Sequence, residues 1–270
     1  WEGVKEFVSI SGGTFSSDVT DYLDDGCELD ETGSVVPSND SVASIGNKGY
    51  HSLEAAITEA KEGATVTLLK NVTEDVTIPA HTTITLDLNG NDQQLNRLSG
   101  SGGAVWLNGA GLTAINASSA DNTRYDGDVL DGSVSGGRFI KAGDGSLTLA
   151  GQTGWRGDTW LNAGELILDG VNGGAQLTSN IIGTRGSRLG LHNGAVLTGW
   201  IDPTDVEIDT ASRWNMTASS LVDHLSNAGT INITAPSAND FKTLTIQGNY
   251  RGDHGLIVLN TQLGSDDSPT

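Results

Sequence analysis

The chain has 270 residues, with 37 Gly, 5 Pro and only 5% aromatic residues, which favours a turn-rich fold with a long, thin core over one thick globular core. Its 34 acidic and 14 basic residues give a formal net charge of −20, which argues against nucleic acid and anionic lipid as partners. Cys27 is the single cysteine, so an internal disulfide and a multi-cysteine zinc site are excluded. Because no long apolar run exists, we expect no direct membrane insertion of this chain.

Residues 1–50 differ from the rest of the chain in their pattern of predicted strands, helices and turns. Val8–Phe15 alternates like a strand closed by a Gly-Gly turn, and Ser17–Leu23 has a capping Ser and a short helical spacing. An acidic, turn-rich run follows. We interpret this region as the last coil of a preceding unit with a linker, or as a capping insertion. The sequence pattern changes again near residue 85, so a chain whose two halves come from different sequence contexts, natural or engineered, stays open as an alternative.

Residues 51–63 predict the one longer helix. Ser52 is placed as its N-cap and Gly63 as its left-handed C-terminal stop, and the apolar positions have helical spacing at Leu53, Ala56, Ile57 and Ala60. A strand is predicted directly afterwards, at Ala64–Leu69. We expect the helix to cover the open end of a stack of coils, because a first coil exposes apolar side chains and unpaired strand edges.

From residue 64 to residue 211 the sequence predicts coils that repeat at intervals of roughly 20 to 25 residues. The predicted strands are Val76–Ile78, Thr83–Leu88, Ala104–Leu107, Leu112–Ile115, Gln176–Thr178, Arg188–Leu191, Ala195–Thr198 and Val206–Ile208. The segment Asn116–Ser135 lacks alternation and predicts an excursion from the stack. Its aspartates could hold an incidental calcium ion, at Asp126, Asp128 and Asp131, although turn formation explains them better.

The stretch Gly137–Gly170 reads as one turn of a stacked β-coil. Its short alternating runs are Phe139–Lys141, Ser146–Ala150, Thr159–Asn162 and Glu165–Leu168, separated by Gly, Asp and Asn turns. One face of these runs carries Leu147, Leu149, Thr159, Leu161, Leu166 and Leu168. A coil this short cannot bury its own apolar face and needs a copy above and below, so the sequence specifies a solenoid.

The stretch resembles the passenger-associated repeat of bacterial autotransporters with pertactin-like or diffuse-adherence-adhesin-like passengers. The resemblance continues upstream through Leu86–Leu112, and downstream Ser212–Ile233 and Phe241–Thr270 look like the family's C-terminal autochaperone region. It implies an all-β fold, a right-handed parallel β-helix with one N-terminal capping α-helix. Residues 64–211 would be passenger coils and residues 212–270 autochaperone-like coils.

The resemblance also implies a place and a role. We expect a non-catalytic passenger fragment at the Gram-negative cell surface, an adhesin or related virulence factor, with a C-terminal β-barrel translocator in the full protein. The partner would be a host surface protein, a host glycan or a second copy. The C-terminal coils would fold first, with a nucleus formed by Trp214, Ile231, Ile233, Leu244, Ile246, Leu256 and Val258.

Candidate adhesive residues fall in two groups. Arg156-Gly157-Asp158 and Arg251-Gly252-Asp253 both match the tripeptide that integrins recognise, and both are predicted in turns, where such triplets also arise from turn chemistry alone. Trp106 and Trp160 each lie between inward-facing residues, which predicts an outward indole for stacking on a sugar or anchoring a protein. Mutual stacking of the two indoles, or cover from a loop, is the structural alternative.

No catalytic or cofactor motif accompanies these residues. The histidines are widely separated and without metal-ligand spacing, at His51, His81, His192, His224 and His254. Gly143–Leu147 resembles a nucleophile motif, but its Ser opens a repeat strand and has no neighbouring His. The alternative reading is a β-helical polysaccharide lyase or hydrolase, or a carbohydrate-binding module, for which an enzyme would need paired carboxylates on one sheet face. We expect no cofactor.

Overall fold

The computed structural model describes residues 8–79, 83–236 and 241–261. Within them the chain winds into a parallel β-solenoid of about nine coils. A complete coil contributes one strand to each of three sheets, which we call faces A, B and C. No described helix is long and apolar enough to cross a membrane.

The N-terminal elements are β1 (Cys27–Leu29), β2 (Val35–Pro37), β3 (Ala43–Ile45), β4 (Lys48–Tyr50) and the helix α1 (Leu53–Glu59). Face C comprises β5 (Thr65–Leu68), β7 (Thr85–Asp87), β9 (Ala104–Trp106), β12 (Asp128–Leu130), β15 (Thr153–Gly154), β18 (Gln176–Thr178), β21 (Val196–Gly199), β24 (Arg213–Met216), β27 (Thr230–Ile233) and β30 (Leu256–Val258). Two short 3-10 turns lie at Thr20–Tyr22 and Val171–Gly173.

Face A comprises the first half of β8 (Gln93–Gly100), then β10 (Gly111–Ile115), β13 (Arg138–Ala142), β16 (Thr159–Leu161), β19 (Ile181–Gly183), β22 (Ile201–Asp202), β25 (Ser220–Val222) and β28 (Leu244–Ile246). Face B comprises β11 (Asn122–Tyr125), β14 (Ser146–Leu149), β17 (Glu165–Asp169), β20 (Arg188–His192), β23 (Asp205–Ile208), β26 (Leu225–Asn227) and β29 (Tyr250–Gly252). The long strand β8 also pairs with β6 (Thr73–Ile78) and joins the two faces.

Inward side chains stack in register from coil to coil. On face B, Leu149 pairs with Leu168, Leu168 with Leu191 and Leu191 with Ile208, and all four are buried. Each coil therefore covers the aliphatic row of the next, which is the nearest-neighbour stacking that stabilises solenoids. The predicted inward positions of Gly137–Gly170 are confirmed.

The first coil is covered by α1 and by an antiparallel hairpin. Strand β3 pairs antiparallel with β5 and with β4, so face C does not begin with a free parallel edge. Ser52 caps α1 as predicted, its Oγ accepting a hydrogen bond from Ala55 N at 3.0 Å. The helix buries Leu53, Ala56 and Ile57 against the core.

Several predicted boundaries are wrong. The helix ends at Glu59, and Ala60 already has extended backbone, so Gly63, at φ +73°, serves the following turn instead. Val8–Phe15 forms only isolated bridges, at Ile10 and Thr14, and no strand. The predicted helical turn at Ser17–Leu23 is reduced to Thr20–Tyr22, and Ser17 does not cap it.

The predicted excursion at Asn116–Ser135 is also wrong. It contains β11 and β12, which pair in parallel with the next coil at Asn122–Tyr125 and Asp128–Leu130. Tyr125 and Val129 are its buried inward residues. Residues 132–136, in the turn between β12 and β13, are exposed.

The inward phase of the last described strand differs from the prediction. Leu256 is 56% exposed and Val258 41% exposed, whereas Ile257 between them is half-buried and packs against the core. Register explains this, because Ile257 pairs with inward Ile231 and its neighbours pair with outward Thr230 and Asn232. Leu256 and Val258 therefore do not belong to the aliphatic row of the predicted nucleus.

Candidate functional site

The two tryptophans proposed for binding lie on different faces. Trp106 is an outward residue of β9 on face C, and Trp160 is an outward residue of β16 on face A. They do not stack on one another, so the expectation of mutual stacking is wrong. Trp160 is 40% exposed and lies in register between Ile140 and Ile182, which makes a short apolar stripe on face A.

Trp106 lines an open cavity of about 640 Å³. Along face C, Trp106 pairs with Leu130 and Leu130 pairs with Gly154, so the three outward positions form one row across three coils. Gly154 has no side chain, and Leu130 Cδ2 lies where a Cβ at Gly154 would be crowded, at 3.0 Å. The cavity is lined by Trp106, Leu130, Asp131, Gly132, Ser133, Ser135, Gly154 and Arg156.

The turn between β12 and β13 forms one wall of the cavity, and buried Asp131 holds its far end. The Asp131 carboxylate accepts hydrogen bonds from the backbone amides of Gly136 at 3.1 Å and Gly137 at 2.8 Å. It also accepts one from the amide of Arg156 at 3.1 Å, in the next coil. Asp131 therefore fixes the wall and positions Arg156 against it.

Asn108 holds the near end of the same turn. Its Oδ1 accepts hydrogen bonds from the amide of Ser133 at 2.8 Å, from the Ser133 hydroxyl at 3.1 Å and from the amide of Val134 at 3.1 Å. Its Nδ2 donates to Asp87 Oδ1 at 2.5 Å. The wall is thus tied to the coil below as well as to the coil above.

Arg156 is exposed at the mouth of the cavity. Its guanidinium has no hydrogen-bond or ion-pair partner among the described residues, although the chain is strongly acidic. Arg138, by contrast, reaches the Asp92 carboxylate at 2.5 Å. The structure therefore brings two sequence-predicted residues, Trp106 and Arg156, into one cavity, and leaves the cation available.

The rest of the first Arg-Gly-Asp tripeptide is bound into the stack. The amide of Gly157 donates to Gly137 O at 2.9 Å, and the Ser179 hydroxyl donates to Gly157 O at 2.8 Å. Asp158 Oδ1 accepts a hydrogen bond from Asn180 Nδ2 at 3.0 Å. Only the arginine of this tripeptide is freely presented.

The second tripeptide is not confined to a turn, which corrects the prediction. Arg251 and Gly252 belong to β29, which pairs in parallel with β26, and only Asp253 lies in the bend beyond it. All three residues are exposed. The Asp253 carboxylate lies 3.1 Å from Nδ1 of His254.

A charged groove on face B was not foreseen from the sequence. It has a volume of about 220 Å³, and its lining includes Glu165, Arg188, Asp205, Glu207 and Arg251. The Arg188 guanidinium lies 3.7 Å from Glu165 and 3.8 Å from Glu207, so it bridges the two carboxylates across three coils. Register creates this groove, since its residues are scattered in the sequence.

Lys141 is a second feature that the sequence analysis missed. Its side chain is completely buried, and Nζ donates to Ala142 O at 2.6 Å and to Gly143 O at 2.9 Å. Burial lowers the pKa of Lys141 to about 8, and the charge of Asp144 opposes this shift. Its place in the row between Ala114 and Leu161 is that of an aliphatic residue.

The aspartates proposed for calcium have separate partners. Asp126 accepts a hydrogen bond from Arg124 Nε at 2.6 Å, Asp128 accepts one from the amide of Gln152 at 2.8 Å, and Asp131 holds the turn described above. Among the described residues no group of three or more His, Cys, Asp or Glu side chains could hold a metal ion.

The histidines serve local contacts. His51 lies 3.3 Å from Asp25, and His224 Nδ1 accepts a hydrogen bond from the amide of Asn249 at 2.9 Å. His192 is half-buried, and His81 lies outside the described residues.

The residues proposed as a folding nucleus are mostly interior. Trp214 is completely buried, and its indole N–H donates to Gly199 O at 2.9 Å. Ile231 and Ile233 are buried, and Leu244 and Ile246 are half-buried against the core.

Comparison with known proteins gives one family match and two informative relatives. The model of the autochaperone domain type 1 matches residues 220–270. Over 188 residues the chain is 40% identical to the adhesin BmaC autotransporter of Brucella suis biovar 1 (strain 1330), covering 67% of this chain and 5% of that protein. Over 149 residues it is 25% identical to the uncharacterized protein YuaQ of Escherichia coli (strain K12), covering 55% of this chain and 9% of that protein. No solved structure matches significantly.

The fold defines an all-β parallel solenoid with an open cavity on face C. The autochaperone match and the similarity to the Brucella adhesin support its assignment to the autotransporter passenger domains, as the sequence predicted. That similarity supports an extracellular location at the cell surface. The chain spans less than a tenth of the length of either relative.

Proposed function

We propose that this chain is a non-catalytic adhesive segment of an autotransporter passenger and that the Trp106 cavity is its binding surface. The observation that carries the proposal is the meeting of an outward indole and an unpaired guanidinium on a wall fixed by Asp131 and Asn108. The similarity to a Brucella adhesin supports the class of function. The partner is a host surface glycan or protein, or a second copy of this chain.

An adhesion assay tests this proposal. Bacteria displaying the full protein should attach to host epithelial cells, and Trp106→Ala should reduce attachment about tenfold at equal surface level. Trp160→Ala is the matched control, since it removes an outward indole from face A. Equal attachment by wild type, Trp106→Ala and a strain without the protein would contradict the proposal.

A polysaccharide-cleaving enzyme is the second candidate, and the charged groove on face B is the observation that favours it. Glu165, Asp205 and Glu207 share a sheet face there, as general acid and base catalysis would require. Against it, the Arg188 guanidinium lies between two of the carboxylates, 3.7 Å from Glu165 and 3.8 Å from Glu207, and so pairs with the groups that would have to act as acid and base. Turnover of an acidic or neutral glycan that Glu207→Gln abolishes would establish the enzyme.

The C-terminal coils have a separate proposed role in secretion. We infer that Trp214, Ile231, Ile233, Leu244 and Ile246 form a nucleus that folds first outside the cell and templates each preceding coil. Their burial near the C-terminal end of the stack supports this order. Ile246→Ser should lower surface yield far more than Val66→Ser, although Val66 is completely buried in the first coils. Equal losses would contradict directional folding.

A further inference from the structure

We propose that the Trp106 cavity recognises a sugar ring that carries a carboxylate, such as a uronic or sialic acid residue. This inference deepens the proposed adhesive function and rests on it. It is drawn from the chemistry of the lining, which combines an aromatic plate, a fixed hydroxyl-bearing wall and one free cation.

The cation is the Arg156 guanidinium. A guanidinium presents its donors in a planar fork that matches a carboxylate, and the resulting paired hydrogen bonds are both strong and directional. Arg97, Arg124, Arg138, Arg185 and Arg188 each lie within ion-pair distance of a carboxylate. In so acidic a chain, an arginine held at a cavity mouth without such a partner is available for an external carboxylate.

The aromatic plate is the Trp106 indole with Leu130 beside it. The next outward position in the row is Gly154, and a Cβ built there would approach Leu130 Cδ2 to 3.0 Å. Glycine therefore leaves room for the Leu130 side chain to lie over this position, which extends the apolar surface beside the indole. Stacking of the apolar face of a sugar on an aromatic side chain uses such a surface.

The wall presents two serine hydroxyls on ordered backbone, and that of Ser133, which donates to Asn108 Oδ1, can accept a hydrogen bond from a ligand. Ser133 and Ser135 line the cavity, and the backbone that carries them is fixed by Asn108 at one end and Asp131 at the other. Gly132 is required there, since it has φ +76° and its Cβ would lie 2.6 Å from Asn108 Oδ1. Because the wall is already ordered, ligand binding does not incur the entropic cost of ordering it.

Three backbone amide dipoles partly compensate the charge of Asp131 beside the cavity. Its carboxylate is buried and accepts three backbone hydrogen bonds, from the amides of Gly136, Gly137 and Arg156. The long-range repulsion from the net charge of the chain is screened at physiological salt. Recognition of the acid therefore depends on the contact with Arg156.

Titration calorimetry of the whole chain with matched sugars tests the proposal. Methyl β-glucuronide is compared with methyl β-glucoside, and 3′-sialyllactose with lactose, so that the two sources of the carboxylate are separated. We expect at least one acid to bind with a Kd below about 1 mM and its neutral partner to bind about tenfold more weakly. Arg156→Gln should remove this difference, and Trp106→Ala should weaken both members of the pair.

Matched controls keep the result specific. Arg213 is another exposed arginine on face C without a partner among the described residues, so Arg213→Gln should leave sugar binding unchanged. Arg156 is exposed, so its substitution should leave the far-ultraviolet dichroism unchanged. If Trp106→Ala fails to fold, Trp106→Phe should keep the preference for the acid at reduced affinity.

Three results would overturn the inference: equal binding of acid and neutral sugar, an equal loss in Arg213→Gln, or no binding at about 10 mM sugar. A tetra-aspartate peptide that binds more tightly than either acid through Arg156 would replace the sugar with an acidic peptide. Cell attachment that survives Arg156→Gln but not Trp106→Ala would refute the acidic sugar and leave the adhesive function standing. Sugar binding by a protein that mediates no attachment would refute the adhesive function alone.

Discussion

The carboxylate of Glu74 accepts hydrogen bonds from the backbone amide of Leu53, at 3.1 Å to Oε1 and 3.0 Å to Oε2. Oε2 also accepts one from the amide of Glu54 at 3.1 Å. Glu74 belongs to β6 in the first coils, and these amides are among the donors left unpaired at the start of α1. The contact thus fixes the helix to the stack that it covers.

Replacing Glu74 should loosen the helix. Glu74→Gln removes the negative charge at the helix N-terminus and weakens the acceptors, so local opening of α1 should become easier by about 1 kcal/mol. Amide hydrogen exchange at Ala56 and Ala60 measures this opening. Glu54→Gln is the control, because its exposed carboxylate lies in the first turn of the helix and has no hydrogen-bond or ion-pair partner among the described residues. It should change the free energy of local opening by only about a few tenths of a kcal/mol. Equal effects of the two variants would disprove the anchoring role.

Buried Lys141 should make stability depend on pH. Its folded-state pKa of about 8 lies below its ordinary value of 10.5, so the unfolded chain binds more protons between these values. Burial of the charge destabilises the fold fully below about pH 8, and this cost disappears as pH rises toward 10.5. From pH 7 to 9.5 the Lys141 contribution should raise the free energy of unfolding by about 2 kcal/mol.

Comparison with Lys141→Met isolates that contribution in urea unfolding. The gain on raising the pH should vanish in Lys141→Met and persist in the control Lys61→Met, whose side chain is exposed. A gain of the same size in all three proteins would show that other groups titrate.

The last described strand should tolerate substitution at its outward positions only. Ile257→Ser removes half-buried apolar surface from above Ile231 and should lower the free energy of unfolding by about 1 to 2 kcal/mol. Val258→Ser, next in the chain and outward, should cost less than about 0.5 kcal/mol. Urea unfolding followed by far-ultraviolet dichroism compares the free energies of unfolding of the two variants. A larger loss for Val258→Ser would show that Val258, and not Ile257, faces the interior.

Asn227 ends the aliphatic run of the inward row on face B, which extends from Leu149 to Ile208. It follows Ile208 in register on face B, is completely buried, and neither polar atom of its amide has a hydrogen-bond partner among the described residues. Asn227→Leu should therefore raise the free energy of unfolding by about 1 to 2 kcal/mol. The reciprocal variant Ile208→Asn should lower it. A loss of stability in Asn227→Leu would mean that the amide is satisfied in solution.

Sequence periodicity predicted the coils well where apolar and polar residues alternate. Ser146–Leu149 has its predicted face and Gln176–Thr178 is a strand as predicted, because only the inward positions of both are aliphatic. The method failed at Asn122–Tyr125, where Tyr125 is the only apolar residue and backbone pairing with the next coil defines the strand. It also failed at Leu256–Val258, where three successive apolar residues leave the inward phase undetermined.

The site was predicted only in part, for a related reason. Sequence reasoning identified Trp106 as outward and Arg156 as exposed, but they lie fifty positions apart and meet only because their coils stack on either side of the Leu130 coil. The hydrogen bonds by which Asp131 and Asn108 hold the cavity wall could not be predicted from the sequence, since both residue types are common in turns. The charged groove on face B depends on register in the same way.

Spin-label distances along one outward row test the parallel stack most directly. In a Cys27→Ser background, one label at Thr148 is paired with a second at Glu207, Ser226 or Arg251, which lie three, four and five coils further along the same row. With about 4.8 Å per coil, the backbone separations should rise in equal steps, from about 14 Å to about 19 Å and about 24 Å. Distances that do not increase with coil number would contradict the solenoid.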